Sequence, residues 1–113
     1  MTTTDDILAQ RDAATAILTA KMVAANDFMN KGAAGMDDVI NALAAQRSLL
    51  AAQAYEAALD DPALAAALAK LKAVTKEMNE VAKKMVSAAA IIGNVNGLVA
   101  ASSKVVPVLK GLG

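Results

Sequence analysis

Histidine, cysteine and tryptophan are absent, and the only aromatic side chains are Phe28 and Tyr55. Without cysteine there is no disulfide framework, thiolate nucleophile or thiolate metal site. Without histidine the chain lacks the commonest general base near neutral pH and the commonest transition-metal ligand. A Ser-His triad cannot be assembled. Neither the phosphate-cradling GxxxxGK[ST] loop nor the dinucleotide GxGxxG fingerprint occurs. Asp37-Asp38 and Asp60-Asp61 are adjacent pairs at expected helix boundaries, where capping and the helix dipole explain them. Glu77 and Glu80 lie one turn apart among lysines, as on a solvated helix face. No catalytic, cofactor or metal site is expected, and the chain is not expected to be an enzyme.

Arginine is also scarce in the basic part of the chain. Residues 1–61 hold nine acids and four bases, whereas residues 62–113 hold two acids and seven lysines, so the halves carry about −5 and +5. The halves are expected to lie against each other; the sharper alternative is an acidic partner or anionic lipid beside the basic half. Lysines with no arginine or aromatic between them, in a neutral chain, argue against nucleic acid. The acidic start MTTTDD does not resemble a secretory signal, so a cytoplasmic protein, or one secreted by a signal-independent route, is expected.

Alanine makes up roughly a quarter of the chain, and it is the strongest helix former. Its small side chain covers little apolar area, so the core must come from close helix approach and scattered Leu, Ile, Val and Met. An all-α fold follows. It is read as one domain, 1–113, of three long antiparallel helices: a helical hairpin plus a long heptad-patterned third helix, bundle-like or coiled-coil-like, with room for a short fourth helix.

Helix 1 is expected over about 4–31. Thr4 is its N-cap, and Ile7, Ala14, Leu18, Met22, Ala25 and Met29 form its apolar stripe, widened by Ile17, Ala24 and Phe28. Lys31 and Gly32 signal its end, and a short connection makes the next helix antiparallel. Helix 2 is expected over about 37–60, with Met36, Val39, Ile40, Leu43, Leu50, Ala54, Ala57 and Ala58 inward. Arg11 and Arg47 intrude on the two stripes and are expected to snorkel to the bundle edge. The methionines Met22, Met29, Met36, Met78 and Met85 read as core fillers.

Asp60-Asp61-Pro62 marks the clearest boundary, with Pro62 suited to a first helical position. A strict heptad follows: Leu64, Leu71, Met78, Met85 and Ile92 in one position, and Ala67, Val74, Val81, Ala88 and Val95 three residues later. Helix 3 is therefore expected over 62–92, with continuation to 106 as an open alternative. The interaction seam assigned to it is Leu64, Leu71, Val74, Met78, Val81, Met85 and Ile92.

No charge occurs between Lys84 and Lys104, an interval nearly long enough to cross a bilayer. Ala89, Gly93, Gly97 and Ala101 repeat there every four residues, the spacing of close small-residue helix contacts. Three readings stay open. One is a turn at 93–97 followed by a short helix over about 98–106. The second is a continuous buried helix, and the third is a membrane-inserting segment whose asparagines pair in an oligomer. Pro107 is expected to end the helix in all three, leaving a tail over 107–113.

The leading functional expectation is a small helical assembly or interaction protein acting through the heptad seam and close Ala/Gly packing. Its partner would be itself or another helical protein, with a homo-oligomer as the expected state. The alternative is a membrane-active, pore-forming or membrane-inserting protein that uses the uncharged segment. A second alternative is an amphipathic coat or a secretion-filament subunit.

Overall fold

The computed structural model describes the backbone of residues 3–51 and 62–110 and the side chains of residues 6–51 and 65–108. The end of helix 2 beyond Ala51, the Asp60-Asp61 boundary, the seam side chain Leu64 and residues 111–113 of the expected tail lie outside the described residues.

Among the described residues there are five α-helices and no strand: α1 (Thr3–Asn30), α2 (Met36–Ala51), α3 (Pro62–Ala82), α4 (Ala88–Ser103) and α5 (Val105–Lys110). The all-α expectation holds, but the single long third helix does not. It is two helices, α3 and α4, folded back on each other.

α1 ends where its sequence says it should. Gly32 takes a left-handed φ of 92°, its N–H donates to the Met29 carbonyl at 3.0 Å, and the Ala33 N–H donates to the Phe28 carbonyl at 3.0 Å. This is a Schellman closure, which satisfies carbonyls that the helix end would otherwise leave unpaired. Gly35, with φ of 82°, directs the chain into α2. The five residues between the helices leave α1 and α2 antiparallel.

The end of α3 has a different origin. The segment 83–87 contains neither glycine nor proline. The Lys84 N–H donates to Val81 and the Met85 N–H to Ala82, both at 3.0 Å, so the last turn tightens to i→i+3 bonds. Ser87 then adopts extended backbone (φ −141°, ψ 166°), and its Oγ accepts the Ala90 N–H at 3.1 Å. It is an N-cap, with an apolar run behind it.

Gly93 and Gly97 lie inside α4, so the turn expected at 93–97 is not there. The Asn94 side chain bonds the Ala90 carbonyl at 2.7 Å, one helical turn back, and does not build a turn of its own. Pro107 does not end a helix either. The interruption falls at Lys104, and Pro107 sits in the first turn of α5, where no intrahelical acceptor awaits its missing N–H. Its ring would collide with the carbonyl four residues earlier, that of Ser103, and α4 stops at Ser103.

The result is two hairpins packed face to face. α1 packs on α2 and α3, α4 packs on α2 and α3, and α5 leans on α3 and α4. α3 and α4 are antiparallel: Val81 lies against Gly97, and Glu77 meets Lys104. α2 and α4 run the same way, with Gly35 beside Ile92 at one end and Gln46 beside Ser102 and Ser103 at the other. The body is elongated, 51 × 22 × 21 Å.

The core is a single apolar seam between the hairpins. α1 contributes Ile7, Ala14, Leu18 and Ala25, and α2 contributes Met36, Val39, Leu43 and Leu50. α3 contributes Ala67, Leu71, Val74 and Met78; Met85 follows from the turn, and Ile91, Leu98 and Ala101 come from α4. Each large side chain fully removed from water contributes about 1.5–3 kcal/mol. Arg11 and Arg47 are half-buried at the edge, and Arg11 meets Asp12 at 3.4 Å. Met29 is 37% exposed, and so departs from the expected core stripe.

Two substitutions test this backbone. Gly32→Ala, whose Cβ would meet nothing, should cost about 1–2 kcal/mol through its left-handed φ alone. Gly93→Ala, inside a helix and facing open space, should stabilise by about 0.5–1 kcal/mol. Urea titration reads both; a turn at 93–97 would reverse the second sign.

Candidate interaction surface

Two sets of residues were candidates from sequence: the heptad seam and the small-residue stripe. The seam is used inside the chain. Leu71, Val74, Met78 and Met85 are buried between the hairpins, and Val81 is half-buried against Gly97 of α4. Ile92 departs from the seam and stands 48% exposed on α4, its Cδ1 next to Gly35. The turn at 83–87 shifts the register: the buried line runs Leu71, Met78, Met85 and then Ile91, Leu98, Val105.

The stripe Ala89, Gly93, Gly97, Ala101 does not form one contact. Positions four apart on an α-helix drift by about 40°, so over the stripe the direction turns through about 120°. Ala89 and Gly93 therefore face solvent, Gly97 faces Val81 of α3, and Ala101 is in the core.

A different surface emerges from the same helix. Val86 and the outer residues Ala89, Ile92, Gly93, Asn96 and Ala100 are all exposed, and none is charged. A surface helix ordinarily turns charged side chains to water, as α3 does with Lys70, Lys72, Lys76, Glu77 and Glu80. The outer face of α4 does not. Val86 is 76% exposed and Ile92 48% exposed, at the end of α4 nearest the turn. Single exposed apolar residues are ordinary; an entire helix face without charge is the unusual feature.

Polar contacts fix the other sides of α4. Ser102, fully buried, and Ser103 each place Oγ 3.2 Å from Gln46 Oε1, and both also bond the Val99 carbonyl, at 2.9 and 2.8 Å. At the α3 side, Lys104 Nζ donates to both carboxylate oxygens of Glu77, at 2.9 and 2.8 Å. Lys21 Nζ reaches the Met85 carbonyl at 3.4 Å and ties α1 to the turn. Sequence reasoning passed over Gln46, Val86 and Ala100, because each is unremarkable until the neighbouring helices are placed.

The hairpins of opposite charge are joined by the apolar core together with the Lys21–Met85 and Gln46–Ser102/Ser103 contacts, not by ion pairs among the described residues. Among the described residues the ion pairs Arg11–Asp12, Lys83–Glu80 and Lys104–Glu77 each join residues of one half. Among the described residues no three acidic side chains converge as metal ligands. The stretch Ala88–Val108 is long and apolar enough to cross a membrane, with 33% of its most apolar part buried in the fold.

The register shift gives a paired prediction. Met78→Ala should destabilise the chain by about 2–5 kcal/mol, as expected for a fully buried side chain. Ile92→Ala, the next-but-one position of the same sequence heptad, should cost about 0.5 kcal/mol or less. Similar losses in denaturant melts would place Ile92 back in the seam.

Compared with protein-family models, with curated proteins and with solved structures, the chain shows no match.

Proposed function

We propose that this chain is a non-enzymatic helical interaction protein that assembles with helical partners, first of all a second copy of itself, through the outer face of α4. The observation that carries this reading is the absence of any charged side chain on that face from Val86 to Ala100. Alanine and glycine on a helix surface let another backbone approach closely, and Ile92 supplies an apolar anchor beside them. The interior seam would then serve folding, and the heptad spacing of Leu71, Val74 and Met78 favours a coiled-coil-like crossing of α3 on α1. The lack of histidine and cysteine supports a binding role over a catalytic one.

Light scattering across a wide concentration range tests it. The expected result is a mass that rises from 11.4 kDa toward at least twice that value. Gly93→Glu, whose Cβ would meet nothing on its own chain, should return the mass to the monomer without loss of helix content. A monomer at every concentration, or an oligomer indifferent to Gly93→Glu, contradicts the reading.

A second reading is membrane insertion, favoured by the length and apolar character of Ala88–Val108. Lys83 and Lys84 precede the segment and Lys104 and Lys110 lie near its end, as basic residues do around segments that meet anionic lipid. In dye-filled vesicles of phosphatidylcholine and phosphatidylglycerol, this reading expects leakage that Ile92→Glu abolishes. No leakage above buffer would remove it.

A further inference from the structure

The third segment of this chain carries two heptad registers that one straight helix cannot both bury against the cover of a single copy. Leu71, Met78 and Met85 are seven residues apart, and the next step of seven reaches Ile92. Ile91, Leu98 and Val105 are also seven apart, one residue out of step with the first set. The hairpin uses the first register up to Met85 and the second from Ile91 onward, leaving Ile92 48% exposed. A helix continued across 83–87 would instead carry the first register on to Ile92, in line with Met78 and Met85.

Nothing in the turn forbids that continuation. Lys83, Lys84 and Met85 are good helix formers, and Val86 and Ser87 are compatible with a helix. The contrast with the other hairpin is direct. The α1–α2 connection depends on left-handed glycines, Gly32 at 92° and Gly35 at 82°, which are not helical conformations. The α3–α4 turn is held by two i→i+3 backbone bonds, the Ser87 cap and the Lys21 contact to the Met85 carbonyl. One hairpin is fixed by its backbone; the other is held closed by contacts.

We infer that the α3–α4 hairpin opens into one continuous helix and exchanges α4 between two copies of this chain. Opening in a single copy would strip Ile91, Leu98 and Ala101 of their cover, since all three are fully buried. Exchange restores the cover: α4 enters the same place between α2 and α3 of the second copy, and Ser102 again meets a Gln46 side chain. The closed and exchanged forms then differ only at 83–87 and where the two continuous helices pass. Concentration and the conformation of the turn set the balance. Spanning Pro62 to Ser103, the continuous helix would be about 63 Å long.

This inference does not rest on docking through the outer face of α4, and the two are separable. The full chain, free of cysteine, accepts a single labelled pair: Ala73→Cys and Ala100→Cys, both at exposed positions. Spin labels there should lie within about 20 Å in the hairpin and about 40 Å apart in the continuous helix. The chain is warmed to its unfolding midpoint at high concentration, cooled with excess unlabelled chain, and separated by mass. The dimer fraction is expected to carry the long intrachain distance. Val86→Pro lies between the end of α3 at Ala82 and the start of α4 at Ala88 and breaks a continuous helix, so it should lower the dimer fraction by about a hundredfold while the monomer keeps its helix content. Ser87→Ala, which removes the cap, should raise it about fivefold. Gly93→Glu should leave the exchanged dimer in place. Dimers that keep only the short distance, or that form equally with Val86→Pro, overturn the inference, as does the absence of any dimer with Ser87→Ala. A dimer lost with Gly93→Glu and kept with Val86→Pro is face-to-face docking and not exchange.

Discussion

Burial of Ile91, Leu98 and Ala101 against the first hairpin is the interaction on which the arrangement of the C-terminal half depends. In a single chain a straight helix would carry these side chains past the end of their cover. The two large ones are each worth about 1.5–3 kcal/mol when removed from water. The turn forgoes a few helical bonds at 83–87 and recovers roughly 1 kcal/mol at the Ser87 cap. The difference favours the hairpin, and the other features of α4 follow from it. Gly97 is placed on Val81, Ser102 under Gln46, and Lys104 within reach of Glu77. Val86, Ile92 and Gly93 are turned outward by the same rotation.

Much of the first hairpin was legible in the sequence. The inward sets Ile7, Ala14, Leu18, Ala25 and Met36, Val39, Leu43, Leu50 follow helical spacing, and each is buried. Gly32 after Lys31 is a local signal with a local cause, and its φ of 92° expresses it. The second hairpin was not legible, for a physical reason. Its turn residues are all compatible with a helix, and the heptad passes through them without a fault. Only long-range burial distinguishes Ile91 from Ile92. Gly93, Asn94, Asn96 and Gly97 carried the stronger turn signal, yet α4 runs through them because its inner face is buried. Tertiary packing overrides local propensity here.

The candidate surface shows the same division. The seam residues Leu71, Val74, Met78 and Met85 are buried, and α3, which carries the first three, packs on α1 of the same chain. The four-residue repeat of small side chains suggested one contact, but its angular drift distributes it between solvent, α3 and the core. The proposed partner surface is the uncharged outer face of α4, which no spacing rule singled out because its defining property is missing charge on a helix whose outward side becomes known only once the other sides are packed.

The most direct test of this account is a residue-by-residue record of helix along the third segment, from carbon-13 secondary chemical shifts of the full chain in solution. Helical shifts are expected to Ala82, with their loss across 83–87 and their return from Ala88 through Gly93 and Gly97 to Ser103, and with a cross-peak between Val81 and Gly97. An unbroken helix from Pro62 to Ile92 in the dilute monomer, or a break at 93–97, would contradict it.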